Sequence, residues 1–213
     1  GAPEPQPGRE QLVGRGPDAC GHGVRVHRIG LEDEVGVQVA VAGVRDGRDA
    51  DAVRGLDARD VENFSAFFAS DRSRFVGGPL DAEDAWKVLA RVIGHWTLRG
   101  YGSFAITLTG AEDNAVGMAG PWFPEGWPEA EIGWMLWDPA LEGKGYAREA
   151  VEATRDWAYR TLGWTTAVSY ISPENARSLR LAERLGAQPD PSVILRDADP
   201  CIAYRHPAPE RLQ

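Results

Sequence analysis

The stretch that decides the fold is EIGWMLWDPALEGKGYAREAVEATRDWAYRTL, residues 131–162. Its first part, 131–137, is apolar after one glutamate and predicts a strand, which Asp138-Pro139 ends. A glycine-rich turn at 142–145 follows and opens a long helix. The apolar stripe of this helix consists of Ala147, Ala150, Val151, Thr154, Trp157, Ala158 and Leu162. These residues predict a strand, a tight turn and an amphipathic helix in direct succession.

The turn at 142–147, EGKGYA, is a candidate anion site. Its small residues let the backbone approach a ligand closely, and the first N–H groups of the helix lie at the positive end of the helix dipole. Lys144 and Arg148 would add positive charge. A nucleotide P-loop is less favoured, because it needs Ser or Thr after Gly-Lys, and here Gly145 and Tyr146 follow. The other interpretation is a tight turn that binds no ligand.

The rest of the chain predicts an α/β or α+β domain with one crossover unit. Before the deciding stretch we expect a strand within 36–44, helices starting near Ala58 and after Asp81, and strands at 101–108 and 115–123. After it we expect a strand at 166–171, a helix at 173–186, and short strands near 192–196 and 202–205. The strands at 101–108 and 115–123 are expected to form a hairpin.

Composition excludes several classes of function. The 213 residues, 43% hydrophobic with 8 Trp, suffice for one domain with an appendage. The net charge of -9 disfavours nucleic acid and anionic membranes and favours a cationic partner such as an amine. Cys20 and Cys201 make no metal-ligand pattern, so no metal is expected. Residues 1–16 lack the features of a secretory signal, which predicts a cytoplasmic protein with reduced thiols.

The turn resembles the acetyl-CoA motif of the GNAT acetyltransferases, Gln/Arg-x-x-Gly-x-Gly/Ala. Gly145 and Ala147 match its last two positions, whereas Glu142 stands where the family has Gln or Arg. This departure puts one side-chain contact in question and affects the backbone contacts less. Downstream, 173–178 (PENARS) and 182–186 (AERLG) are similar to the family's Asn-x-x-Ser segment and its Glu-Lys-Leu-Gly close.

Three further segments look like the ribosomal-protein (RimJ/RimL-like) branch of that family: 75–79 (FVGGP), 131–134 (EIGW) and 204–207 (YRHP). The resemblance covers residues 53–207 and leaves 208–213 as a tail. It implies the GNAT acyl-CoA N-acyltransferase fold, a mixed, mostly antiparallel sheet flanked by helices, with splayed central parallel strands. It also implies acetyl-CoA as co-substrate, and acetyl transfer to a primary amine, of a protein N-terminus or a small molecule, by direct attack in a ternary complex.

Residues 1–52 do not resemble the family's opening strand, which is of the Thr-Glu-Arg-Leu-x-Leu-Arg kind. In its place, directly before 54–57, stands the segment 47–52. One hypothesis is that residues 1–52 are not the native first strand, as after a frameshift or a mis-started translation. The alternative is a divergent extension. Pairing of 35–44 in the sheet with a buried face would weaken the first hypothesis.

The resemblance also implies roles for individual residues. Aminolysis of a thioester needs a base for the amine proton and a donor for the oxyanion. Glu131 is the candidate base, directly or through water. Ser178 is the candidate proton donor to the thiolate, because Ala182 stands where many GNAT enzymes have a Tyr. The expected cofactor contacts are Trp134, Met135, Leu136, Glu142, Gly143, Lys144, Gly145, Tyr146, Ala147, Arg148 and Asn175.

Structural roles remain open for several of these residues. Glu131 is equally consistent with a solvated strand end, Asn175 with a helix N-cap, and Trp134 with core packing. His95 and Tyr101 are candidates for the acceptor side, but a lone His or Tyr at a helix end is more often structural.

Two other functions and one loop also remain open. The chain could bind acyl-CoA without turnover, as the departure at Glu142 suggests, or it could be a nucleotide-binding regulator that uses the same turn. The Trp-rich loop at 122–127 is an acceptor-site lip, a homodimer contact, or a loop that packs on itself.

Overall fold

The computed structural model describes residues 37–39, 54–195 and 201–211. The strands are β1 (Val37–Val39), β2 (Phe104–Leu108), β3 (Gly117–Trp122), β4 (Glu131–Leu136), β5 (Val168–Ile171), β6 (Gln188–Pro189) and β7 (Ile202–Arg205). The helices are α1 (Val61–Phe68), α2 (Ala82–Arg99), α3 (Tyr146–Thr161) and α4 (Ala176–Arg184). Both the strand–turn–helix succession and the β2–β3 hairpin are confirmed.

The strands form one seven-stranded sheet in the order β1-β2-β3-β4-β5-β7-β6. All neighbours are antiparallel except β4 and β5, which are parallel. These two strands pair only where Glu131 lies opposite Val168, and beyond that point they separate. The mixed, mostly antiparallel sheet with splayed central strands is therefore confirmed.

Polar caps and glycines set the helix ends near the positions expected from the sequence. Asp57 caps a short 3-10 turn before α1, and Asp81 accepts a hydrogen bond from the Asp84 N–H at the start of α2. Gly100, with φ 77°, ends α2 in the left-handed conformation that glycine adopts most easily.

The prediction of a short strand near 192–196 is wrong for the part of that segment that the structure describes. The strand that pairs with β7 is β6, at Gln188–Pro189. At 190–192 the chain turns instead, because the Asp190 carboxylate accepts a hydrogen bond from the Ser192 N–H at 3.0 Å.

The sheet has a core on each face, and β4 contributes to both. Helix α3 packs on one face with Ile132, Trp134 and Leu136 of β4. Helices α1 and α2 pack on the other face with Met135 and with Trp137, which follows the strand. Since side chains alternate along a strand, the side chain of Glu131 points to the α1–α2 face.

β1 is an edge strand within the segment where the sequence predicted one. Val37 lies opposite Leu108 and Val39 opposite Ile106. The side chains of 37–39 lie outside the described residues, so the hypothesis that residues 1–52 are foreign to the fold stays a prediction. Among the described residues, no helix has the length and apolar character needed to cross a membrane.

Candidate active site

The separation of β4 from β5 leaves one edge of β4 open. The Ile132 carbonyl faces β5, where it accepts a hydrogen bond from the Ser169 hydroxyl at 2.6 Å. Backbone groups alternate between the two edges of a strand, so Trp134 and Leu136 also present their N–H and C=O groups to this side. β5 has already diverged at that level. The Trp134 N–H therefore faces a gap, which an extended ligand can enter as a strand-like partner.

The cofactor candidates on β4 divide between backbone and side-chain roles. The side chains of Trp134 and Leu136 pack against the α3 core, which is the structural role that the sequence left open for Trp134. Met135 packs on the opposite face. All three residues are only half-buried, although β4 is a central strand.

The turn before α3 presents backbone N–H groups to open space. Gly143 and Gly145 have φ 76° and 90°, in the left-handed region that favours glycine. A Cβ atom built on either of them would meet no atom within 4 Å. Gly145 is the N-cap of α3, and no side chain of the described residues caps the helix there. The N–H groups of Tyr146, Ala147 and Arg148 thus point out of the helix end, as an anion site requires.

Glu142, the residue that departs from the GNAT motif, is held by two arginines. Its Oε1 lies 2.9 Å from Arg177 Nη1 and 2.7 Å from Arg72 Nη2. Arg72 also donates to the Leu136 carbonyl at 3.0 Å and to the Trp137 carbonyl at 3.2 Å. The carboxylate is thereby neutralised, and it joins the end of β4 to α4.

Two further cations lie at the turn, as the sequence predicted. Lys144 is exposed, and Arg148 is exposed and forms an ion pair with Glu152 at 2.9 Å, one helical turn further on. An exposed ion pair of this kind contributes little, so Arg148 can exchange Glu152 for an anionic ligand at small cost.

Glu131 is a half-buried carboxylate in a polar niche on the α1–α2 face. Its Oε2 accepts a hydrogen bond from the Trp127 indole N–H at 2.8 Å. Burial raises the pKa of Glu131 to about 7, although the Trp127 indole and the Tyr170 backbone N–H, which also faces this carboxylate, act to lower it. A Cβ atom on Gly133 would lie 3.7 Å from Oε1, so this glycine leaves room beside the carboxylate. A carboxylate with a pKa near neutrality can accept a proton at physiological pH.

Asn175 and Ser178 lie at the start of α4. Asn175 is the N-cap of this helix, and its Oδ1 accepts a hydrogen bond from the Ser178 N–H at 3.2 Å. The N-cap interpretation is therefore what the structure shows, while a cofactor contact of Asn175 stays a prediction. Ser178 is half-buried, and among the described residues its hydroxyl has no hydrogen-bond partner. Ala182, where many GNAT enzymes have a Tyr, is fully buried.

His95 and Tyr101 have structural roles. The Nδ1 of His95 lies 2.7 Å from the Tyr101 carbonyl, and its Nε2 accepts a hydrogen bond from the Phe123 N–H at 3.0 Å. Burial lowers the pKa of His95, and Trp122 stacks on its ring at 4.4 Å. Because both ring nitrogens are bound to backbone, His95 fixes the Trp-rich loop to α2.

Sequence reasoning missed three residues of this site. Trp127 was noted only as part of a loop, yet its indole binds the Glu131 carboxylate. Tyr170 makes an edge-to-face contact with Trp127 at 6.4 Å, and Arg72 joins Glu142 to β4. No local pattern marks Tyr170 and Arg72, because each acts on a partner that is distant in the sequence, whereas Trp127 lies only four residues before Glu131.

An open strand edge, a turn that can bind phosphate and a near-neutral carboxylate are the features of an acyl-transfer enzyme. Residues 52–188 match the family described as acetyltransferase (GNAT) domain. The chain is also similar to the crystal structure of an acetyltransferase from Agrobacterium tumefaciens, with 35% identity and a TM-score of 0.67 over 85% of this chain and 99% of that one. The chain belongs to the GNAT acetyltransferase family.

Two more distant structures share the fold. The chain has 15% identity to spermidine N-acetyltransferase from Vibrio cholerae, solved with CoA and spermine, with a TM-score of 0.58 over 75% of this chain and 95% of that one. It has 19% identity to ribosomal-protein-S5-alanine acetyltransferase from Vibrio fischeri, with a TM-score of 0.52 over 72% of this chain and 90% of that one. At these identities the likeness is one of fold alone.

Proposed function

We propose that this protein transfers the acetyl group of acetyl-CoA to a primary amine, by direct attack in a ternary complex. The observation that carries the proposal is the position of Glu131, whose carboxylate accepts the Trp127 indole hydrogen bond at 2.8 Å beside the point where β4 and β5 separate. Burial raises the pKa of this carboxylate to about 7. A base at this position stands next to the gap in which the thioester is expected. It can take a proton from an amine that approaches from the α1–α2 face.

The chain's residues fit acetyl-CoA as a substrate. The open backbone of Trp134 suits the amide-bearing arm of CoA, because an extended arm can hydrogen-bond to a strand edge. The helix end at 145–148 suits the pyrophosphate, with the exposed cation of Lys144 beside it. In this arrangement Asn175, at the start of α4, borders the arm from the β5 side.

The proposed chemistry assigns one step to each group. Glu131 accepts a proton from the amine, and the neutral nitrogen attacks the thioester carbonyl. The C–N bond forms, the C–S bond breaks, and a β4 backbone N–H stabilises the charge on the carbonyl oxygen. Ser178 is the proposed proton donor to the departing thiolate, the weaker alternative to the Tyr that Ala182 replaces. Its hydroxyl regains a proton from the nitrogen, which loses its second proton as the amide forms.

The acceptor is proposed to be a protein N-terminal amine or a small-molecule amine. The net charge of -9 favours a cationic acceptor. The Vibrio fischeri structure is named for a ribosomal-protein alanine and the Vibrio cholerae structure contains spermine, so both kinds of amine belong in the first acceptor panel. Membership of the ribosomal-protein branch, the cytoplasmic location and a homodimer remain predictions.

The test is ligand binding followed by turnover. We expect acetyl-CoA and CoA to raise the melting temperature, since a ligand at a hundredfold excess over its Kd stabilises by about 2.7 kcal/mol, and we expect ATP to leave it unchanged. Amine-dependent release of thiol from acetyl-CoA is then measured with N-terminal peptides, polyamines, amino acids and aminoglycosides. Binding without release for every acceptor would favour a non-catalytic acyl-CoA-binding module. A response to ATP alone would favour a nucleotide-binding regulator.

A further inference from the structure

The separation of β4 and β5 begins at a hydrogen bond made by a side chain. The Val168 N–H donates to the Ala130 carbonyl at 3.0 Å, as in a regular parallel ladder. The next step of that ladder would join the Tyr170 N–H to the Ile132 carbonyl. That carbonyl instead accepts the Ser169 hydroxyl at 2.6 Å, so the ladder stops there. The Tyr170 N–H is left to face the Glu131 carboxylate.

The Ser169 hydroxyl is itself held by a buried polar chain. Its oxygen lies 2.9 Å from His206 Nε2, and His206 Nδ1 lies 3.3 Å from Arg155 Nη1. Since the single Ser169 proton goes to Ile132, His206 must donate from Nε2 and accept from Arg155 at Nδ1. Burial lowers the pKa of His206 to about 3, which keeps the ring neutral and this hydrogen-bond direction constant over the working pH range.

The three side chains of this hydrogen-bond network are shielded from solvent. Arg155, Ser169 and His206 are 4%, 2% and 3% exposed. Among the described residues, no carboxylate pairs with Arg155, which instead donates to the Leu185 carbonyl at 2.9 Å. A buried cation without a counter-ion is costly, and so is a buried polar chain that is only partly satisfied. The network of Arg155, His206 and Ser169 lies directly behind the point where β4 and β5 separate. This location indicates that the network acts on that separation.

We propose that Ser169 is a positioning residue, whose hydroxyl separates β4 from β5 and so shapes both the acyl-CoA gap and the surroundings of Glu131. His206 and Arg155 orient that hydroxyl. The inference rests on the proposed acetyltransferase function, because it assigns the gap to the thioester arm. Without the hydroxyl, the Tyr170 N–H turns to the free Ile132 carbonyl, the gap narrows, and Glu131 loses a neighbouring donor.

The pH dependence of the site tests this idea, provided that other charges stay constant. The titratable and charged groups near Glu131 are Tyr170 of β5, Glu129 of the loop before β4 and Arg205 of β7. From α2, His95 and Arg91 contact Trp122, the residue opposite Glu131 on β3. None of these side chains bonds to the Ser169 hydroxyl. Substitutions at Ser169 therefore leave their charges in place.

The experiment compares Ser169→Thr with Ser169→Val in the full chain. The two side chains have nearly the same shape, but only Thr keeps the hydroxyl. Acetyl-CoA affinity is measured by calorimetry, and kcat/KM for the amine is measured against pH with one acceptor. We expect Val to weaken acetyl-CoA binding about tenfold relative to Thr, the effect of about one hydrogen bond. We also expect the acid limb of the Val profile to lie about one pH unit higher, because a carboxylate with fewer donors binds its proton more tightly.

Equal affinities and equal acid limbs for the Thr and Val variants would overturn the proposal, since the hydroxyl would then do nothing. If the Val variant does not fold, Ser169→Ala against the wild type gives the same comparison. If the wild type binds acetyl-CoA but acetylates no amine, the proposed function is refuted. The role of Ser169 can still be decided, because it depends on the acetyl-CoA affinities of the Thr and Val variants. A wild-type chain that does not bind acetyl-CoA overturns both proposals.

Discussion

Replacing Glu131 by Gln removes the proposed base and nearly preserves its shape. The Gln carbonyl can still accept the Trp127 indole hydrogen bond that Glu131 accepts at 2.8 Å. The variant should therefore bind acetyl-CoA as the wild type does. Its turnover should fall about 10²–10⁴-fold, the usual contribution of a positioned general base.

The same substitution has a second effect, on stability, which follows from the pKa. Burial raises the pKa of Glu131 from 4.5 to about 7 in the folded chain. Between these two pH values the folded state keeps a proton that the unfolded state has released. The free energy of unfolding therefore falls as pH rises through this window, by about 1.4 kcal/mol per pH unit and by about 3 kcal/mol in all. Gln does not ionise, so the free energy of unfolding of the Glu131→Gln variant does not fall in this way as the pH rises.

Urea denaturation of the wild type and Glu131→Gln, at a series of pH values from about 4.5 to 8, measures this effect. We expect the Gln variant to gain about 3 kcal/mol relative to the wild type across the window, with the difference constant above pH 7. A difference that does not change with pH would refute the burial of a near-neutral carboxylate. Turnover that survives in the Gln variant would refute its role as the base, even if the stability result held.

Three further substitutions test neighbouring features. Trp127→Phe keeps an aromatic ring but loses the hydrogen-bond donor to Glu131. The acid limb of the kcat/KM profile should therefore move up by about one pH unit. The control Trp86→Phe, at an exposed position on α2, should leave the pH profile unchanged. Gly145→Ala forces an alanine into the left-handed conformation at the start of α3 and should lower the free energy of unfolding by about 1–2 kcal/mol. The control Gly94→Ala, inside α2 with open space around it, should raise the free energy of unfolding. Ala182→Tyr should lower the free energy of unfolding by about 1–3 kcal/mol, because Ala182 has 0% exposure, and it should not raise turnover above that of the wild type. A gain in thiol release would contradict this.

The elements that sequence analysis predicted well are those whose signals are local. Asp57 caps the 3-10 turn that leads into α1, Asp81 caps α2, and glycines mark the turn before α3. A cap or a left-handed glycine acts on backbone within a few residues, so a short window of sequence contains the whole interaction. The strand expected near 192–196 failed because the choice between it and β6 depends on pairing with β7, which no local window contains.

The sequence alone determined the order of elements up to α4, the glycine turn before α3 and the family, since periodicity, glycines and motif spacing are written along the chain. Only the tertiary structure decided the chemistry of the site. Glu131 acquires a pKa of about 7 because the fold buries it, and this outweighs the opposing hydrogen bonds from nearby Trp127 and from the Tyr170 backbone of β5. The gap in the sheet likewise depends on Ser169 reaching Ile132, 37 residues earlier in the chain. Burial and long-range hydrogen bonds arise only when distant segments meet, so no pattern in the sequence records them.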